Sequence, residues 1–195
     1  VGQPGDDKPA SEDVKKEGNS VNTLQPIANS ALVKNSCVYP VYLSSIGPVS
    51  CDGTPTQGKR IEPSETYVET LRKCPQGGIS LKISRTADGL KPMQFEYAVW
   101  QDNSTKVSYD ISYLDCMKNN SGEKDLSDCV GHDGGIQAMG GGEHAPSYKC
   151  PANLWCDKEA YVVAEFGYKH GAPVGTCQVK EGIAFELCGD QDEEV

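Results

Sequence analysis

The chain has 195 residues, with 28 Asp and Glu against 18 Lys and Arg, a net charge of −10. That balance excludes nucleic acid, whose phosphates call for a basic surface, and it excludes an anionic membrane surface. No apolar run is long enough to span a bilayer. Nine cysteines without a CxxC pair or regular zinc spacing, together with the sequons at Asn103 and Asn119, point to disulfides and to a secreted chain, extracellular or held in a cell wall. With no leader-like segment among these residues, a mature form is the expectation.

Residues 1–28 are polar and rich in Gly, Pro, Asp, Lys and Ser, and read as a disordered tail. Strand-like sequence begins near Ala31 with ALVKNSCVYPVYLSS, which Pro40 interrupts. Residues 46–60 read as a Gly/Pro/Ser loop. Tyr67 to Leu71 and Ile79 to Ile83 read as strands parted by a turn, RKCPQGG. Two alternating runs follow around Glu96 and Asp110. Residues 116–156 lack strong periodicity and read as a loop-rich excursion held by disulfides. Ala160 to Phe166 and Ile183 to Leu187 return as strands, before an acidic tail at 189–195. Short strands with turn signals between them predict an all-β sandwich, one domain over residues 29–188.

The run FEYAVWQDNSTKVSYDISYLD carries the most chemistry. Phe95, Tyr97 and Val99 alternate with Glu96 and Ala98; Val107, Tyr109 and Ile111 alternate with Ser108, Asp110 and Ser112. Period-two alternation puts the two sets on opposite faces of a sheet. With the aromatic and aliphatic set in the core, Glu96 and Asp110 face outward on neighbouring strands of a hairpin turned by QDNST. Asp115 stands just beyond. A polar-ligand site and a plain solvated face are the two readings, and Trp100 and Tyr113 are candidates for stacking on sugar rings or for packing.

The histidines come late, at 132, 144 and 170. His132 and His144 flank the glycine-rich run HDGGIQAMGGGEH, a candidate metal site as imidazole and carboxylate suit zinc or copper, against the default of a surface loop. No cofactor is expected. A serine or cysteine hydrolase finds no G-x-S-x-G elbow.

Four segments resemble thaumatin-like proteins. They are Asn35-Ser36-Cys37 with Tyr39, Val41 and Tyr42; Pro63, Glu65, Thr66 and Tyr67; the Glu96, Asp110 and Asp115 segment; and Ala160-Tyr161, Cys177 and Phe185-Glu186-Leu187-Cys188. The run GGISLKIS, with Gly77, Gly78, Ser80, Lys82 and Ser84 ahead of Asp88-Gly89, is similar to the small fungal branch, the Blastomyces yeast-phase-specific protein family.

The resemblance implies a thaumatin-like β-sandwich and an acidic cleft for β-1,3-glucan. The cleft acids would be Glu96, Asp110 and Asp115, with Lys82 and Arg85 as the nearest bases. If the cleft hydrolyses, Glu96 is the acid and Asp110 or Asp115 the base or nucleophile, since glycoside hydrolysis needs two carboxyls at a set gap; binding without efficient turnover is the expectation. The family's further aspartate is not matched, with Glu165 nearest. Cys37–Cys188 is the pairing the resemblance supports most, closing a loop worth about 4–5 kcal/mol in the chain-entropy model. Cys51–Cys74 is a second, and Cys156 and Cys177 would each reach back to Cys116, Cys129 or Cys150. Nine is odd, so one thiol is left over. The implied partner is a cell-wall polysaccharide met by a monomer, the alternative a host protein met by a secreted effector or antigen.

Overall fold

The computed structural model describes residues 23–118, 125–162 and 171–190. Among the described residues eleven strands form two sheets: β1 (Ser30–Asn35), β2 (Val41–Ile46), β3 (Thr56–Ile61), β4 (Thr66–Thr70), β5 (Ile79–Ser84), β6 (Met93–Val99), β7 (Lys106–Ser112), β8 (Ile136–Gly140), β9 (Ser147–Cys150), β10 (Val174–Gln178) and β11 (Ile183–Leu187). One sheet has the order β4-β1-β11-β8-β9 and the other β10-β7-β6-β5-β2-β3. All pairings are antiparallel except β1 with β11, the first strand and the last. The only helical turns among the described residues are two 3-10 segments, His132–Gly134 and Val179–Glu181. This is the all-β sandwich that the alternation predicts.

The core lies between the sheets. Leu43, Leu81, Phe95, Tyr109, Ile111 and Phe185 are fully buried, and the Phe95 and Phe185 rings stack at 4.5 Å between centroids. Tyr109 is clasped by two glycines. A Cβ at Gly140 or Gly175 would stand 2.8 Å from its hydroxyl or ring. No side chain fits there, so β8 and β10 carry glycine where most strands carry an apolar residue.

Four disulfides are formed: Cys37–Cys188, Cys51–Cys74, Cys116–Cys129 and Cys150–Cys156. The first ties the ends of the parallel pair β1 and β11. Cys177 corrects the expectation of a bridge there: its thiol is free and buried. It faces inward from β10, and burial pushes its pKa up to about 11.

The structure departs from the sequence reading in several stretches. Residues 46–60 contain β3, an edge strand whose middle (Gln57 to Arg60) is exposed and therefore shows no apolar period. The 116–156 excursion contributes β8 and β9 to the five-stranded sheet. Tyr161 makes a single bridge to Ser112 where a strand was predicted, and residues 163–166 of that prediction lie outside the described residues. Leu24, inside the segment read as a tail, is buried against Leu32 and Ala184, with Met139 alongside.

Candidate functional site

The outward face of the six-stranded sheet is assembled row by row from strand register. Ser80 lies opposite Glu96, and Glu96 opposite Asp110, which in turn faces Val174. Directly opposed residues have Cα atoms about 4.5–5.5 Å apart, so the two carboxylates are immediate neighbours. Both are half-buried and line a cavity of about 280 Å³ with Gly78, Ser80, Ala98 and Ser108. A side chain at Gly78 would bring its Cβ 2.5 Å from the Tyr97 carbonyl, so glycine keeps the cavity wall low.

One row further, Ala98, Ser108 and Thr176 are aligned, and the Ser108 and Thr176 hydroxyls sit 3.2 Å apart. Trp100 caps this end. Its indole N–H donates to Ser108 Oγ at 2.8 Å, and Lys106 holds its ammonium 5.0 Å from the ring centroid. In the other direction come Gln94 and Lys82. Gln94 accepts a hydrogen bond from Ser80 Oγ at 2.8 Å, and Lys82 pairs with Asp115 at 2.9 Å. The result is a polar strip of hydroxyls, an amide and carboxylates with an indole at one end.

Glu96 and Asp110 are thus brought together. Asp115 is exposed, engaged by Lys82, and stands outside the lining of their cavity. Arg85 is elsewhere: its guanidinium lies 3.8 Å over the Tyr39 ring and donates to the Pro40 carbonyl at 3.1 Å. Tyr113, a stacking candidate in the sequence, is fully buried. His132 and His144 stand beyond opposite ends of the five-residue strand β8. Among the described residues no group of three His, Cys, Asp or Glu could hold a metal. Asn103 occupies the β6–β7 turn and accepts from Thr105 through both its N–H (3.2 Å) and its hydroxyl (2.6 Å). Asn119, Glu165 and His170 lie outside the described residues.

Sequence reasoning missed a second polar concavity. Tyr39, Arg85, Asp128, His132, Asp133 and Asn153 line a cavity of about 660 Å³ where the disulfide-held segment meets the sandwich. These residues come from four separated segments, and no local spacing announces them.

A two-sheet all-β sandwich stapled by four disulfides, with a polar strip on one sheet, defines the class of molecule. The family profile of the Blastomyces yeast-phase-specific protein, Bys1, matches residues 19–122. The chain belongs to that family, and the matched half runs through β7 and holds Glu96, Asp110 and Asp115. Among solved structures, the chain is similar to the protein elicitor MoHrip2 from Magnaporthe oryzae, at 20% identity and a TM-score of 0.57 over 83% of this chain and 99% of that one. It is also similar to the thaumatin-like xylanase inhibitor TLXI, at 10% identity and a TM-score of 0.45 over 81% and 98%. The first likeness shows a shared fold. No curated protein matches the sequence.

Proposed function

We propose that the protein is a secreted, non-catalytic binder of a neutral cell-wall polysaccharide of the β-1,3-glucan type, held along the outward face of the six-stranded sheet. The observation that carries this reading is the direct opposition of Glu96 and Asp110 inside a shallow cavity edged by Ser80 and Ser108. Carboxylates and hydroxyls on a rigid sheet can satisfy the paired donors and acceptors of sugar hydroxyls, and the strip continues on either side for further rings. Binding without turnover suits the placement of Asp115, which is committed to Lys82. A glycan on Asn103 belongs to the same reading, because the sequon sits at an exposed hairpin turn, the surface position an N-linked glycan requires.

Calorimetric titration with a soluble β-1,3-glucan oligosaccharide tests it, wild type beside the Glu96→Gln/Asp110→Asn variant. Heat from the wild type that the variant loses supports the site; no heat from a folded wild type overturns it.

A second reading, an effector that binds a host protein, draws on the shared fold with an elicitor and on the net charge of −10. A basic partner would then be released by salt, because screening acts on charge pairing, whereas a neutral glucan would stay bound.

A further inference from the structure

The turn between β6 and β7 sets the Asn103 sequon beside a fixed indole. Trp100 stands three residues ahead of Asn103, a stretch that spans at most about 11 Å even when fully extended. Both residues are tied to Lys106. The Lys106 N–H donates to the Asn103 carbonyl at 3.1 Å, and the Trp100 N–H donates to the Lys106 carbonyl at 3.0 Å. Sequon and indole therefore flank a single residue of β7.

The indole is pinned. Its ring N–H donates to Ser108 Oγ at 2.8 Å, and the Lys106 ammonium lies 5.0 Å from the ring centroid. Trp100 still stays half-exposed, so part of the ring is open to a partner. A ring already held in one orientation loses little further freedom when something packs on it. The acceptor amide is oriented too. Asn103 Oδ1 accepts from the Thr105 N–H at 3.2 Å and from the Thr105 hydroxyl at 2.6 Å. Both bonds go to the amide oxygen and neither takes Nδ2, the atom that bears an N-linked sugar. Glycosylation there joins Nδ2 to the anomeric carbon of an oligosaccharide; its lipid diphosphate carrier leaves, and the amide gives up one proton. The pyranose that results has a face of C–H bonds with partial positive charge, which suits the negative face of an aromatic ring.

We infer, on the reading that Asn103 carries a glycan, that its first N-acetylglucosamine packs on the Trp100 ring, so that the chain's own sugar closes this end of the sheet strip. A free saccharide on the strip is then held from Glu96 and Asp110 and not by the indole.

The test uses the full chain secreted from a glycosylating yeast, with Asn119→Gln throughout so that the sequon at Asn103 is the one under study. An endoglycosidase trims the glycan to its first N-acetylglucosamine. Trp100→Ala and Asn103→Gln, alone and together, complete a cycle. In the trimmed chain the protons of the sugar should move upfield through the indole ring current. Urea titration should give a folding equilibrium constant about three- to tenfold above that of Asn103→Gln, the scale of one aromatic contact. In Trp100→Ala both the shifts and the gain from the sugar should vanish. Sugar protons at the positions of a free glycopeptide, or an equal gain in Trp100→Ala, overturn the packing and leave the glycan standing. An Asn103 that mass spectrometry finds unmodified overturns both. Titration of the trimmed chain with a soluble β-1,3-glucan oligosaccharide supplies the last arm. A tenfold weakening by Trp100→Ala would make the indole part of the free ligand's site and overturn the closure; affinity unchanged within about twofold supports it, since tenfold is about 1.4 kcal/mol.

Discussion

The two sheets treat their outward faces differently. On the five-stranded sheet, Leu32, Ala184 and Met139 form an apolar patch, and the chain covers it with its own Leu24. Beside the patch, Glu186 is buried but answered on every side: Ser36 Oγ donates to it at 2.5 Å, Gln137 donates to its other oxygen, and Lys34 lies 3.5 Å away. On the six-stranded sheet the outward residues beside Glu96 and Asp110 include Ser80, Ala98 and Ser108, and the two half-buried carboxylates line a cavity with them. One face is closed by an apolar cover from the chain itself; the other is polar, with hydroxyls, an amide and an indole bonded along the strip. A sandwich needs only its inner faces to fold, so an outer face left polar, with like charges opposed, is where a function is expected.

The largest effect expected belongs to neither outer face. Phe95→Ala removes a ring stacked across the sandwich and should lower unfolding free energy by about 3–5 kcal/mol in urea titration. Leu24→Ala tests the closed face: a loss of about 2–3 kcal/mol, with faster proteolysis before Ser30, shows that the cover is part of the fold. A loss below 0.5 kcal/mol, roughly the scale of ordinary surface changes, would break the contrast.

The effect of pH comes next. The His132 pKa is depressed in the folded chain by burial, although Asp133 and Asp125 nearby pull it the other way. The unfolded chain takes up its proton first as pH falls, so stability present above the ordinary histidine pKa declines as pH drops through it toward the folded value. Urea midpoints measured from neutral to mildly acidic pH should show a decline that His132→Gln lessens. At alkaline pH the raised pKa of Cys177 acts in the opposite sense. The unfolded thiol ionises first, and stability falls from the ordinary thiol pKa of 9.0 toward about 11. Native Cys177 should resist alkylation at pH 8 and react on unfolding, as mass spectrometry can follow.

The smallest change belongs to the open face. Lys82→Ala breaks a pair whose members are 31% and 47% exposed, and should cost no more than about 1 kcal/mol. A larger loss would mean that the strip is built for stability and not left free for a ligand.

The strip was readable in the sequence because period two needs no tertiary information. The alternation around Glu96 and Asp110 fixes which side chains share a face, and a short connector makes the strands neighbours. The thaumatin-like resemblance supplied Cys37–Cys188 as a pairing to look for. β8 and β10 were hidden because their inward positions include Gly140 and Gly175, residues that signal turns and are here required by the approach of Tyr109. Edge strand β3 was hidden by exposure of both its faces. The larger cavity was illegible for another reason: Tyr39, Arg85, His132 and Asn153 meet only after the chain has closed, and separated single residues have no period.

The pairing of β1 with β11 has a consequence for synthesis. Between β4 and its final neighbour, the first strand must wait for almost the whole chain, since Ala31 pairs with Ile183. The ribosome releases the N-terminal half long before the last strand exists, leaving one edge of β1 open to any other extended chain. Closure is therefore a late event, and the Cys37–Cys188 bond seals it. A chain cut after residue 122, where the family profile ends, keeps every acid of the strip and loses the strand that completes the sheet. The half of this molecule that carries Glu96 and Asp110 depends for its survival on the half that arrives last.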